Sequence, residues 1–195
     1  SPSIAIGQAK KEIIRMGEYS VQGLQEAMEH INTYDKKHVN TVAQLEEAIN
    51  SLDQKTTDYL VSISKQSLSG HDSKVHNILL ENIRDIERIG DHVENLIELT
   101  EFKENNGAEL SAEAMQELND MLELVVETVS LAIQSLDQLD VEAANQALAN
   151  EDQIDDMERK LRKNHIKRVN DGTCTGCAGV IFVDIISNLD PVGDH

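Results

Sequence analysis

Ile13, Val21, Leu24, Met28 and Ile31 recur at the three-to-four-residue spacing that lines one face of a helix. That run ends at Tyr34–Asp35, where Asp35 is placed to cap a second helix from about Lys36 to Leu68. The stretch 67–73 reads as a loop. A third helix then extends to about Glu104 and stops at Asn105-Asn106-Gly107. Ser111 and Asp140 repeat the capping signals, opening a fourth helix that ends near Leu139 and a fifth that ends near Asn170. Asp171-Gly172 and a Cys/Gly stretch form the next connection, and a sixth helix starts near Ala178. Long periodic runs with so few breaks predict an all-α protein. The expected architecture is six long helices as a tandem repeat of two antiparallel three-helix bundles, 1–106 and 107–195, joined at 105–110.

The repeat can be read residue by residue. Glu87-Arg-Ile-Gly-Asp91-His92 matches Asp190-Pro-Val-Gly-Asp194-His195 at an offset of 103, and Glu81, Ile83 and Ile86 match Asp184, Ile186 and Leu189 at the same offset. Asp35, Glu46, Ile49, Asn50 and Asp53 match Asp140, Glu151, Ile154, Asp155 and Glu158 at an offset of 105. The difference of two residues is a small loop deletion.

Composition narrows the function. The 195 residues carry 36 acidic and 17 basic side chains, a formal charge of −19. A nucleic-acid-binding domain must neutralise phosphates with Lys and Arg, so that class is excluded; phosphate bound through metal ions is not. Aromatic residues are 3% and Trp is absent, which disfavours stacking platforms and large sandwiches. The longest uncharged run, 173–183, is too short to span a bilayer. No leader peptide is visible, and only two cysteines, Cys174 and Cys177, suit a reducing compartment.

With this many acids, roughly six i, i+4 acidic pairs arise by chance, so only pairs present in both repeats carry weight. Glu46, Asn50 and Asp53 form a stripe on the second helix, repeated by Glu151, Asp155 and Glu158 on the fifth. Glu87/Asp91 and Asp190/Asp194 form pairs on the third and sixth. Like charges at this spacing repel by about 0.2–0.5 kcal/mol per pair, so a positive partner is expected. Arg84 and Arg88 could supply it for Glu87 and Asp91, a plain salt-bridged surface. Their counterparts are Ser187 and Pro191, so the carboxylates persist where the arginines do not. A bound cation accounts for that. Oxygen donors with no thiolate or His set favour Mg²⁺, Mn²⁺, Ca²⁺ or oxygen-ligated iron.

Ile86-Glu87-Arg88-Ile89-Gly90-Asp91-His92 followed by Asn95-Leu96-Ile97-Glu98 resembles the signature of the PhoU family of phosphate-response regulators. Glu151-Asp-Gln-Ile154-Asp155 resembles its second-helix motif. The resemblance covers the whole chain. It implies multinuclear clusters of iron or Zn²⁺, or of Mg²⁺ or Mn²⁺, on the bundle surface, with Glu46, Asn50, Asp53, Glu87, Asp91, Glu151, Asp155, Glu158, Asp190 and Asp194 as metal ligands. Inorganic phosphate held through bound metal and a homodimer are further expectations. Ser1-Pro2-Ser3-Ile4-Ala5, Gln8-Ala9-Lys10-Lys11-Glu12 and the segment 164–170 are similar to the linker and fifth helix of the cytoplasmic PhoU-like domain of bacterial Na⁺/phosphate cotransporters. That likeness implies a domain covalently linked to, or partnered with, a membrane transporter at the inner face of the cell membrane. Ser1–Ser3 would then be a linker remnant, extended or turned ahead of the first helix, and the −19 charge would keep the domain off anionic lipid except through that linkage. Two departures bear on the second repeat. Asp190-Pro191 stands where the family has Glu-Arg, and the family's last helix runs on past the position of His195.

Other features read as background. Cys174 and Cys177 have the spacing of half a zinc site without a second pair. His92 and His195 follow the motif acids directly and point about 100° away on a helix. His30, His38, His71, His76 and His165 share no spacing and read as surface residues. The basic run 159–168 complements the end of the fifth helix or faces lipid or an acidic partner. Nucleophile elbows, P-loops and Glu-x-x-His pairs are absent, so the chain reads as a regulator and not an enzyme. A metal-free helical scaffold for a signalling or transporter partner is the alternative, and a carboxylate-bridged metalloenzyme the third reading.

Overall fold

A computed structural model describes residues 1–172 of the chain. Among them there are five α-helices and no strand: α1 (Pro2–Thr33), α2 (Lys36–Ser64), α3 (Gly70–Asn105), α4 (Ala112–Gln138) and α5 (Val141–Asn170). The all-α expectation holds. The sixth helix, Cys174, Cys177, Asp190, Asp194 and His195 lie outside the described residues.

The two halves repeat one corner. α1 ends on Tyr34 in the left-handed region (φ 48°), and Asp35 accepts a hydrogen bond from the Lys37 N–H at 3.0 Å to start α2. α4 ends on Leu139 in the same region (φ 51°), and Asp140 accepts from the Ala143 N–H at 3.1 Å to start α5. These backbone hydrogen bonds hold both capping carboxyls below the usual carboxylate range. Burial follows the same register. Ala9, Ile13 and Met16 on α1, and Ala114, Leu118 and Met121 on α4, are buried pairs 105 residues apart. Ile49 and Ile154 are such a pair on α2 and α5.

Two boundaries differ from the sequence reading. Ser69 accepts from the Asp72 N–H at 3.0 Å, so α3 begins inside the expected loop and α2 stops at Ser64. Instead of a linker over Ser1–Ser3, the helix starts at once: Ser1 caps α1 and Pro2 occupies its first turn, where a missing N–H costs nothing.

α1 packs against α2, α3 and α4, while α5 packs on α4. One core belongs to the first repeat, with Ile6, Ile13, Leu60, Leu79 and Ile83. The other crosses the repeats: Leu24 and Ile31 of α1 and Val93 and Leu96 of α3 meet Leu118, Leu122 and Val125 of α4 and Ile154 and Leu161 of α5. At its edge Asn32 and Asn119 exchange amide hydrogen bonds of 2.8 and 3.0 Å. The halves are therefore joined through α1 and α4, beyond the connection at 106–111.

Gly17 sets that approach. A Cβ there would stand 2.9 Å from Cγ1 and Cδ1 of Ile133. Gly17→Val should therefore destabilise the protein by about 1–3 kcal/mol through overpacking. Gly7, on the exposed face of α1 with nothing near its Cβ position, is the control. Gly7→Ala should stabilise by roughly 0.5–1 kcal/mol through helix propensity. Urea unfolding midpoints of the two variants should move in opposite directions.

Candidate metal centre

α2 and α3 bring three carboxylates together. Val42 and Ile49 bury one face of α2, and Ile89 and Val93 bury one face of α3. Glu46, between the first pair, then lies at the seam opposite Asp91 and Glu94, which are one turn apart on α3. One carboxylate oxygen from each lies within 4.8 Å of the others. Gly90 borders the group: Oε1 of Glu46 is 3.8 Å from where a Cβ at residue 90 would stand, an ordinary contact distance.

The electrostatics are unbalanced. Glu46 is half-buried, hydrogen-bonded to Glu94 and close to the Asp91 charge. Desolvation first, then those two neighbours, push its carboxyl up to about 7. Among the described residues, no Lys or Arg forms an ion pair with any of the three; Arg88 turns to Asp85 at 3.5 Å. The salt-bridged reading of Asp91 thus lacks its partner.

The donor set suits a hard cation. Oxygens ligate such ions at about 2.0–2.6 Å, so two on one ion sit no more than about twice that apart, a condition these carboxylates meet. They are the one group of this geometry among the described residues, and neither His nor Cys belongs to it.

The other expected ligands among the described residues lie outside this group. Glu87 and Asn50 are exposed and outside the group. Asp53 accepts a hydrogen bond from Thr57 Oγ1 at 2.8 Å. In the second repeat Glu151 and Asp155 are half-buried on α5, and Glu158 pairs with Arg162 Nε at 2.6 Å. Glu94 was not anticipated. It continues the Glu87–Asp91 stripe at i+3, but the position 103 residues on falls past His195, so requiring presence in both repeats could not select it.

Three histidines expected at the surface are buried. His30 is fully enclosed, stacked on Tyr34 with Nδ1 3.2 Å from the Asp35 carbonyl, and burial holds its pKa down. His38 Nδ1 meets Glu26 at 2.6 Å, and His76 Nε2 lies 2.7 Å from the Leu60 carbonyl. Each occupies a core-facing helical position whose polar nitrogen finds a local partner, which composition cannot reveal. The basic run is also partly structural. Arg168 is buried and ties α5 to Glu117 on α4 at 2.6 Å, and Arg159 pairs with Asp156.

Comparison with known proteins identifies the family and the fold. The PhoU domain family matches residues 13–100 and 118–195. A phosphate-specific transport system accessory protein, PhoU homolog 1 of Thermotoga maritima, is 24% identical over 196 residues, covering 95% of this chain and 80% of its own length. A PhoU homolog of the same system from Xylella fastidiosa is 26% identical over 186 residues, covering 94% and 77%. The crystal structure of the phosphate transport system regulatory protein PhoU from Streptococcus pneumoniae superposes with a TM-score of 0.86 at 18% identity, over 100% of this chain and 90% of that one. PhoU from Pseudomonas aeruginosa gives 0.90 at 15% identity, over 100% and 93%. At these identities the two structures establish the fold.

The raised Glu46 carboxyl sets a pH dependence. Its ordinary value is 4.5. Above that pH the unfolded chain ionises first, so the folded state loses stability as pH rises to about 7 and regains none beyond. In chelator, the melting temperature of the unsubstituted protein should fall relative to Glu46→Gln between pH 4.5 and 7.5. Parallel curves would remove the crowded-carboxylate account.

Proposed function

The chain belongs to the PhoU domain family, and from that premise we propose that it regulates phosphate transport by binding and not by turnover, with metal on the Glu46–Asp91–Glu94 seam. The relatives' names supply the process: accessory and regulatory proteins of phosphate transport systems. No helix among the described residues is long and apolar enough to cross a membrane, so conduction belongs to a partner or to a covalently linked domain. Attachment to a Na⁺/phosphate cotransporter at the cytoplasmic face is the finer form of this reading. It rests on the likeness of the first residues and of 164–170 to those transporters.

The observation that carries the metal assignment is the Glu46 carboxyl at about 7 beside two further carboxylates without a cation. Glu46, Asp91 and Glu94 would hold the ion, and Glu46 would give up its proton on loading. A divalent ion supplies positive charge and open positions for water or an anion such as phosphate. Iron, Mg²⁺ and Mn²⁺ fit these oxygens; Zn²⁺ fits less well in the absence of nitrogen or sulfur donors.

Elemental analysis of untagged protein purified without chelator tests the assignment. Glu46→Gln with Asp91→Asn should remove most bound metal and leave the helical circular dichroism unchanged, since both residues lie at the edge of the core. Glu87→Ala should retain the metal. Full metal content in the double variant would refute the site.

A further inference from the structure

The flanks of the two hairpins distinguish the repeats. An open groove of about 390 Å³ lies between α1 and α2, and another of about 390 Å³ lies between α4 and α5. Their walls correspond: Glu12 and Glu117, Leu52 and Met157, and Lys55 and Lys160 are pairs 105 residues apart. The charge between them does not. In the first groove Arg15 and Lys55 face a single carboxylate, Glu12. In the second, Asp120 replaces Arg15 beside Lys160, and Glu117 and Asp156 are paired with Arg168 and Arg159. Thr56 and Tyr59 of the first correspond to Leu161 and Asn164 of the second, where the Asn164 amide is committed to Glu117 at 2.6 Å.

We propose that the α1–α2 groove binds an organic phosphate of nucleotide size, independently of metal on the carboxylate seam. In a chain of net charge −19, two cations meet on one groove, and neither forms an ion pair among the described residues. Arg15 is already oriented. Its Nε donates to Tyr19 Oη at 3.2 Å, and its guanidinium carbon lies 5.7 Å from the Tyr19 ring centre. That uses one of five N–H donors and leaves the outer fork for phosphate oxygens. Lys55 adds a point charge, and Thr56 and Tyr59 add hydroxyls. Leu52 gives an apolar wall for the organic part. Glu12 accepts from hydroxyls of the ligand, as a sugar would offer. The groove volume lies within the roughly 300–1,000 Å³ range of small-molecule sites, larger than a lone phosphate fills. The second groove, acidic and floored by Leu161, rejects the same ligand.

Isothermal titration of the full 195-residue chain in chelator tests this apart from the metal reading. ATP should bind saturably at one site, and inorganic phosphate more weakly, because it leaves Leu52 uncovered. Arg15→Gln and Lys55→Gln should each weaken ATP binding by about tenfold, and Lys160→Gln should leave it unchanged. Retention of ATP binding by Glu46→Gln with Asp91→Asn would separate the groove from the seam. Absence of saturable ATP binding would overturn the proposal, as would indifference to both groove substitutions. Equal affinity for inorganic phosphate would overturn the organic-ligand assignment.

Discussion

The close approach of α1 to α4 is the constraint on which the rest of the molecule depends. Two copies of one helix with equal side chains would hold each other apart. Here the copies have become complementary. Gly17, Ser20 and Gly23 on α1 stand where α4 carries Leu122, Val125 and Thr128, all six buried. Gly17 lets Ile133 of α4 lie over it, while Gly23 faces Val93 of α3. Because α1 also packs against α2 and α3, its distance from α4 fixes where the first hairpin sits relative to the second. The shared core of Leu24, Val93, Leu122 and Ile154 exists only at that distance.

Charge is organised on this frame in an uneven way. The chain is strongly acidic, yet much of its acid is solvated or capped, as at Asp35 and Asp140, where backbone N–H groups stabilise the ionised form. Glu117 and Glu158 are matched by Arg168 and Arg162. At the α2–α3 seam, packing of apolar neighbours forces three carboxylates together and leaves one of them half-buried. The energy for that crowding comes from the core on either side, and the seam is the one group of three close carboxylates among the described residues.

Helix number, helix ends and the duplication were legible for the described residues because they depend on local signals: Ser111, Asp140, Asn106-Gly107 and apolar periodicity. The α2–α3 boundary was not, since Ser69 competes with several equally polar neighbours and tertiary packing selects it. Glu46 and Asp91 were legible as members of stripes. That they meet each other, with Glu94 and without Glu87, depends on how two helices are rotated about their axes, which spacing along either one does not contain. The buried histidines and Arg168 were hidden for the same reason. A polar residue on a helix announces burial only when its partner is known, and Leu60, Glu26 and Glu117 lie 12 to 51 residues away in sequence.

The sharing of one core between α1, α3 and α4 also bears on the order of synthesis. A ribosome emits the first three helices before α4, and their mutual contacts are largely short-range, so they assemble early. During that interval Leu24, Val93 and Leu96 present an uncovered apolar surface, which later contacts with α4 and α5 close. The nascent chain thus carries a transient sticky face for as long as translation of some fifty further residues takes, a few seconds at about 5–20 residues per second. Protection of that face by a chaperone, or by its pairing with another nascent copy, becomes a condition on how the protein reaches its native state in the cell.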